Sequence, residues 1–154
     1  MNNRPRNNGF PSADAYLEIS KADVILAFWG YNESFDNSPD AYMADLAKWV
    51  DETKEKKYNG KSAPRIVLLS PISHENLGKA NLPDGAANNE RLSKYTEVTR
   101  KVANEKGVDF VDLFSLSSRL YEKSRKPLTV NGIHLTSEGN KQLAQGIYKN
   151  LFGK

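Results

Sequence analysis

Cysteine is absent from this chain of 154 residues, and histidine occurs only twice. The absence of cysteine excludes disulfides, thiolate catalysis and metal sites with cysteine ligands. Long apolar runs are also lacking, since no stretch approaches the roughly 20 apolar residues of a membrane-spanning helix. The first residues, MNNRPRNNGFPSADAY, carry positive charge but no apolar segment. We therefore predict no membrane span and no signal peptide, and the localisation stays open.

A concentrated basic surface is lacking as well. The net charge is +3, but the lysines and arginines are scattered, and the densest group, residues 54–57, is typical of a solvated helix end. This pattern predicts no nucleic-acid partner. Two histidines without suitably spaced carboxylates make a poor metal site. The sequence therefore predicts no metal site.

Short apolar runs alternate with helical patterns along the chain. The runs at 23–29, 65–70 and 109–114 predict buried strands, and a polar loop is predicted over 74–90. Helices are expected over 12–21, from Ser38-Pro39 to before Asn59-Gly60, from 92 to 107 and from 136 to 151. The alternation predicts a single α/β domain over residues 1–154, with a parallel sheet and helices on both faces.

Polar residues follow the first strand abruptly. Gly30, Asn32, Glu33 and Ser34 come directly after the apolar run that ends at Trp29. Ligands of open α/β sheets bind at the carboxyl ends of the strands, so these residues are candidates for a substrate-binding edge. Gly30 allows a tight exit, and the side-chain NH₂ of Asn32 could donate to an oxyanion. The alternative is that Asn32 only bonds to its own turn.

The two histidines lie in predicted loops. His134 precedes the last helix, and a histidine there can act as a general base because its ordinary pKa is about 6.5. His74 follows the second strand, where it is a further candidate for the substrate edge. An ordinary structural or surface role is the alternative for a lone histidine.

Four segments together resemble one family. FWGYNESF, IVLLSPISHENL, GVDFVDLF and NGIHLTSEGNKQLA, in this order, resemble the SGNH hydrolase superfamily, or GDSL-type lipase/acylhydrolases. The variant Gly-Tyr-Asn-Glu-Ser is similar to a bacterial SGNH esterase-like branch. The resemblance implies a three-layer α/β/α, flavodoxin-like fold, with Asn32 as an oxyanion-hole donor and His134 as the general base. Asn131 occupies the position of the acid that orients the histidine. Either Glu33 or Asp112 replaces that acid, or the histidine works as part of a dyad. The resemblance implies that no cofactor or metal is needed.

The nucleophile block of that family has no counterpart here. Family members begin with a strand followed by Gly-Asp-Ser, whereas Ser12 follows a proline in a polar segment and is rejected as the nucleophile. Ser70 and Ser73 are expected to satisfy loop backbone groups. No nucleophile is identified, and the chain is expected to be the carboxy-terminal portion of a longer hydrolase that lacks the first strand or strands. The 23–29 strand would then have an exposed edge through which the chain self-associates.

The resemblance implies an ester hydrolase acting on a small acyl ester or an acetylated carbohydrate. The missing nucleophile predicts that this chain is catalytically incomplete, so whether it is itself an enzyme stays open. The alternative is a non-catalytic SGNH-fold remnant that binds a ligand or a protein. A flavodoxin-like or receiver-type signalling domain would share the sheet, but the acidic cluster expected at its first strand is missing.

Overall fold

A parallel sheet forms the centre of the structure, a computed structural model that describes residues 11–153. Its strands are β1 (Val24–Phe28), β2 (Arg65–Leu69) and β3 (Asp109–Val111), which lie side by side in the order β1-β2-β3. Val67 in the middle strand pairs with Leu26 on one side and Asp109 on the other. The parallel sheet predicted from the apolar runs is confirmed.

Helices cover both faces of this sheet. In the described part of the chain they are α1 (Ala13–Ile19), α2 (Pro39–Lys54), α3 (Ala86–Lys106), α4 (Leu113–Lys123) and α5 (Ser137–Phe152), with a short 3-10 helix at Glu33–Asp36. Ile66 and Leu68 of β2 pack towards α2 and α3, whereas Val67 and Leu69 pack towards α4 and α5. Alternate residues of a strand point to opposite faces, so this division follows from the pleat. The result is the expected three-layer α/β/α arrangement.

Two predicted boundaries are wrong. The run at 109–114 is a strand only to Val111, because Asp112 caps a new helix: its carboxylate accepts from the backbone N–H of Ser115 at 2.8 Å. The predicted loop at 74–90 is also too long, since α3 already begins at Ala86 after Gly85. The side chain of Asn89 bonds to the backbone of His74, so a tertiary contact fixes this first turn. Asparagine alone is a weak helix former, which is why the pattern missed it.

β1 has an uncovered outer edge. Within residues 11–153 its only strand partner is β2, and Val24, Leu26 and Phe28 are exposed by 50%, 46% and 51%. The same residues project from the face that α4 and α5 cover further along the sheet. The first strand of the sheet therefore exposes both apolar side chains and backbone hydrogen-bonding groups.

Candidate active site

A cleft of about 310 Å³ opens at the carboxyl ends of β1 and β2. Two loops face each other across it, the turn that follows β1 and the loop that precedes α5. The cleft is lined by Phe28, Trp29, Tyr31, Asn32, Glu33, Ser70, Pro71, Ile72, Ile133, His134, Leu135 and Leu143. The structure thus brings Asn32 and His134 together, as expected for residues at one edge of a parallel sheet.

The turn after β1 is held by its own polar residues. Gly30 adopts a φ of +104°, and an added Cβ would lie 3.2 Å from Pro71 and 3.3 Å from the hydroxyl of Tyr42. Glu33 Oε2 accepts from the backbone N–H of Gly30 at 2.9 Å, and Ser34 Oγ donates to the carbonyl of Tyr31 at 2.6 Å. Gly30, Glu33 and Ser34 therefore shape the turn rather than offer free groups to a ligand.

Asn32 is different from its neighbours in the turn. Its side chain has no hydrogen-bond partner in the part of the chain that the structure describes, although it begins the short 3-10 helix. It lines the cleft beside Tyr31. The alternative in which Asn32 satisfies its own turn is thus not the arrangement seen, and its NH₂ group is available to a ligand.

Asn131 contacts the ring of His134. Asn131 Oδ1 lies 3.0 Å from His134 Nδ1 and accepts from the backbone N–H of His134 at 3.0 Å. A third N–H, that of Ile133, points to the same oxygen at 3.4 Å. Backbone N–H groups require an acceptor, so the amide oxygen and not the NH₂ faces the ring. Nδ1 then carries the proton, and Nε2 is left as the proton acceptor.

The two acids that were candidates to replace the orienting carboxylate bind other groups. Asp112 caps α4 and binds Arg100 at 2.8 Å, and Glu33 holds the backbone of Gly30. Burial raises the pKa of the Asp112 carboxyl, but hydrogen bonds from Ser115 and from Arg100 outweigh it, so the pKa lies below its usual value. In the described residues neither acid bonds to His134. Asn131 holds that position instead.

His74 lies outside the cleft. It is 6% exposed, and its Nδ1 is 2.9 Å from Nδ2 of Asn88. The ring packs against Gly132 and is not among the residues that line the cleft. The structure therefore does not bring His74 to the substrate edge where the sequence predicted it.

Two buried serines also have defined partners. Ser70 Oγ donates to the carbonyl of Pro71 at 3.2 Å and accepts from the backbone N–H of Phe114 at 3.1 Å. Ser73 binds Ser117 through both its backbone and its hydroxyl, at 2.8 and 2.9 Å. These hydroxyls satisfy the loop, which is the role expected from the sequence.

Sequence reasoning missed one buried acid. Glu75 is 7% exposed and its carboxylate accepts hydrogen bonds from Leu128 and Thr129. It stands directly after His74 in a segment that was interpreted only as a loop, and no periodic pattern distinguishes it from a surface glutamate. Within residues 11–153 there is no group of three or more histidine, cysteine or acidic residues suited to a metal ion. In the same range no helix has the length and apolar character to cross a membrane.

The fold is that of the SGNH esterases. An acetylxylan esterase of Geobacillus stearothermophilus superimposes with a TM-score of 0.67 at 19% identity, over 88% of this chain and 62% of the esterase. A carbohydrate acetylesterase of Sinorhizobium meliloti gives 0.61 at 17% identity, over 95% and 70% of the two chains. A lipase/acylhydrolase of Enterococcus faecalis gives 0.61 at 18% identity, over 86% and 63%. The chain thus spans less than two thirds of the length of the first and third of these proteins.

A family model agrees with the fold. The model of the GDSL-like lipase/acylhydrolase family matches residues 3–142, which is most of the chain. A search of the curated proteins finds no match. The chain belongs to the GDSL-like lipase/acylhydrolase family, and the resemblance of the four sequence segments is confirmed.

Proposed function

We propose that this chain takes part in ester hydrolysis, with His134 as the general base and Asn32 as a donor to the oxyanion. The contact between Asn131 Oδ1 and His134 Nδ1, at 3.0 Å, carries the proposal. It leaves Nε2 as the free nitrogen of a histidine that lines the same cleft as Asn32, whose amide has no partner among the described residues. An imidazole base and an amide donor are the two groups that acyl transfer needs around its nucleophile.

The chemistry follows from these two groups. Nε2 of His134 accepts the proton of a hydroxyl nucleophile while that oxygen forms a bond to the ester carbonyl carbon. The NH₂ of Asn32 donates to the carbonyl oxygen, which gains the negative charge. His134 then returns its proton to the leaving alkoxide as the carbon–oxygen bond of the ester breaks. Water repeats the sequence if the first nucleophile is a serine.

We further propose that the chain alone is catalytically incomplete. Ser70 is the only serine among the described residues that line the cleft, and it is fully buried with both hydrogen bonds made. Residues 1–10 contain no serine at all. This observation also supports the second candidate function, a non-catalytic member of the family that binds an ester or carbohydrate in the same cleft.

The substrate is inferred to be an acetylated carbohydrate. The cleft of about 310 Å³ is at the small end of ligand pockets, and Ile72 and Leu143 are among its apolar lining residues. An acetyl group fits a small apolar cleft more readily than a long acyl chain does. Two structures of the same fold are those of an acetylxylan esterase and a carbohydrate acetylesterase, and this supports the inference.

An acetylated xylooligosaccharide is expected to bind the cleft, whereas a fluorophosphonate ester is expected to leave no adduct on the chain. Binding should shift the NMR signals of the His134 ring and the Asn32 side chain, because these groups face the acyl ester. No adduct should form because no serine hydroxyl is free in the cleft. NMR titration and intact-mass spectrometry measure the two results on one preparation.

The deacetylated oligosaccharide and Asn32→Ala are the controls. The NMR shift at His134 should be smaller with the deacetylated oligosaccharide, and smaller in Asn32→Ala, if the Asn32 amide contacts the acyl group of the ligand. Equal shifts with and without the acetyl group, or none at all, would contradict the proposed substrate class. An adduct on one serine that is lost in His134→Ala would contradict the proposed incompleteness and would show that this serine is activated.

We also propose that the chain self-associates through the outer edge of β1. Replacing Leu26, which is 46% exposed, with lysine is expected to shift sedimentation towards the monomer, because a charge on an exposed edge opposes strand pairing. Phe152→Lys is the control, since Phe152 is 60% exposed on the last turn of α5. A wild-type chain that stays monomeric at all concentrations would refute this proposal.

A further inference from the structure

The carboxylate of Glu75 binds one end of the loop that carries His134. It accepts from the backbone N–H of Leu128 at 3.0 Å, from that of Thr129 at 2.7 Å and from the hydroxyl of Thr129 at 2.6 Å. All three residues are buried. A buried carboxylate is costly unless several donors satisfy it, and here the donors come from a single short segment. The negative charge therefore organises the backbone at residues 128–129.

The backbone of Glu75 holds the other end of the same loop. Its N–H donates to the carbonyl of Gly132 at 2.9 Å. The N–H of Gly132 in turn donates to the hydroxyl of Thr129 at 3.0 Å, which closes the loop on itself. Glu75 thus fixes the chain on both sides of Asn131, and this limits where the backbone of His134 can lie.

His74 supports this arrangement from below. A Cβ on Gly132 would lie 2.6 Å from Cδ2 of the His74 ring, so the loop rests directly on the imidazole. The side chain of Asn89 brackets the backbone of His74, accepting from its N–H at 2.7 Å and donating to its carbonyl at 2.9 Å. The backbone of His74 is therefore anchored to α3, next to the residue that holds the loop.

Tyr121 adds a second group beside the buried carboxylate. Burial and the charge of Glu75 together raise the pKa of its hydroxyl to about 12, although the side chain of Ser117 opposes the rise. The phenol is therefore protonated and neutral over the working range of a protein.

We propose that Glu75 is a positioning residue for His134, acting through the backbone of residues 128–132. The inference rests on the proposed role of His134 as the base. Asn131 can hold the ring in one tautomer only if its oxygen stays within hydrogen-bond distance of Nδ1, and the segment that places it is bonded to Glu75 at both ends. Glutamine would retain the shape of the side chain, but its NH₂ would face donors that need an acceptor.

Glu75→Gln is expected to release the His134 tautomer. In the wild-type chain the ¹⁵N shifts of the ring should report one form, with the proton on Nδ1, whereas the variant should show a mixture of both forms. The amide protons of Leu128 and Thr129 should exchange about tenfold faster or more, because their charge-assisted hydrogen bonds to Glu75 are lost. Two-dimensional NMR at neutral pH, without substrate, measures both effects.

A second pair of variants keeps the test decisive if Glu75→Gln does not fold. Thr129→Val removes the hydroxyl that binds Glu75 and Gly132 but keeps the shape, whereas Thr129→Ser keeps the hydroxyl. The valine variant should release the tautomer and the serine variant should not. Thr99→Val is the control for general loss of stability, because Thr99 is buried between α2 and α3 and binds Tyr42 at 3.1 Å.

The outcomes separate this inference from the proposed function. A folded Glu75→Gln or Thr129→Val variant with the wild-type tautomer would overturn it, and so would an equal effect of Thr99→Val. A released tautomer in both variants, with Thr129→Ser and Thr99→Val unchanged, supports it. These readouts need no ester, so they test the positioning role independently of the proposed function. A chain that fails to bind acetylated oligosaccharide would refute the function but would not affect this test.

Discussion

Replacing Gly132 with alanine is expected to lower the free energy of unfolding by about 3–5 kcal/mol and to displace the His134 loop. Gly132 has a φ of +93°, which an alanine adopts only with strain. The added Cβ would also overlap the ring of His74, at 2.6 Å from Cδ2 and closer still to Nε2, and it would lie 3.1 Å from the carbonyl oxygen of Glu75. The ring cannot retreat, because Asn88 binds it and the backbone of His74 is held by Asn89. Urea denaturation measures the loss.

Two other glycines separate backbone strain from steric overlap. Gly60 has a φ of +75° with nothing within 4 Å of an added Cβ, so Gly60→Ala should cost only about 1–2 kcal/mol. Gly139 lies in the first turn of α5, where its Cβ would collide with the carbonyl of Leu128. Gly132→Ala combines both effects and should exceed Gly60→Ala. An equal loss in the two variants would show that the His74 ring does not support the loop.

The sheet could be predicted because its signal is local. Strands β1 and β2 end within one residue of the apolar runs at 23–29 and 65–70, since turn residues bound both runs. The predicted burial is right for β2 and wrong for β1, whose outer side has no strand partner within residues 11–153. The third run, at 109–114, was predicted as a strand throughout, which is wrong after Val111; the run contains two aspartates, and a short run of this kind suits a strand or a helix start. Asp112 ends the strand because its side chain caps α4, and Leu113 is fully buried as the first residue of that helix. Such a choice depends on packing that the sequence does not display.

The candidate site was predictable only in part, for a similar reason. Asn32 and His134 lie at the ends of elements that the pattern identifies, so both could be placed at one edge. The orientation of the Asn131 side chain could be assigned only from the structure, where its oxygen accepts from two backbone N–H groups. Glu75 has no local signal, because its partners are more than 50 residues away along the chain. Long-range hydrogen bonds of this kind leave no periodicity in a sequence.

Asn131→Asp is expected to raise the pKa of His134 by about one unit. The new carboxylate keeps an oxygen that accepts from the His134 backbone and from Nδ1, and it adds a negative charge about 3 Å from the ring, as the present amide oxygen is. That charge favours the protonated imidazole. ¹H NMR titration of the ring measures the shift, and the chain has only one other histidine, the buried His74.

The sign of the change also predicts a pH dependence of stability. A folded-state pKa raised by the new carboxylate adds stability that is complete below the pKa of an unfolded histidine and is lost as the pH rises through the folded value. Val130→Asp is the matched control, because Val130 is 60% exposed beside the same residue and its carboxylate would add the charge without the Nδ1 contact. A shift as large in Val130→Asp would show that the field of the charge, and not the hydrogen bond, sets the pKa. The absence of a shift in Asn131→Asp would mean that residue 131 does not orient the base, because a carboxylate hydrogen-bonded to Nδ1 must stabilise the imidazolium.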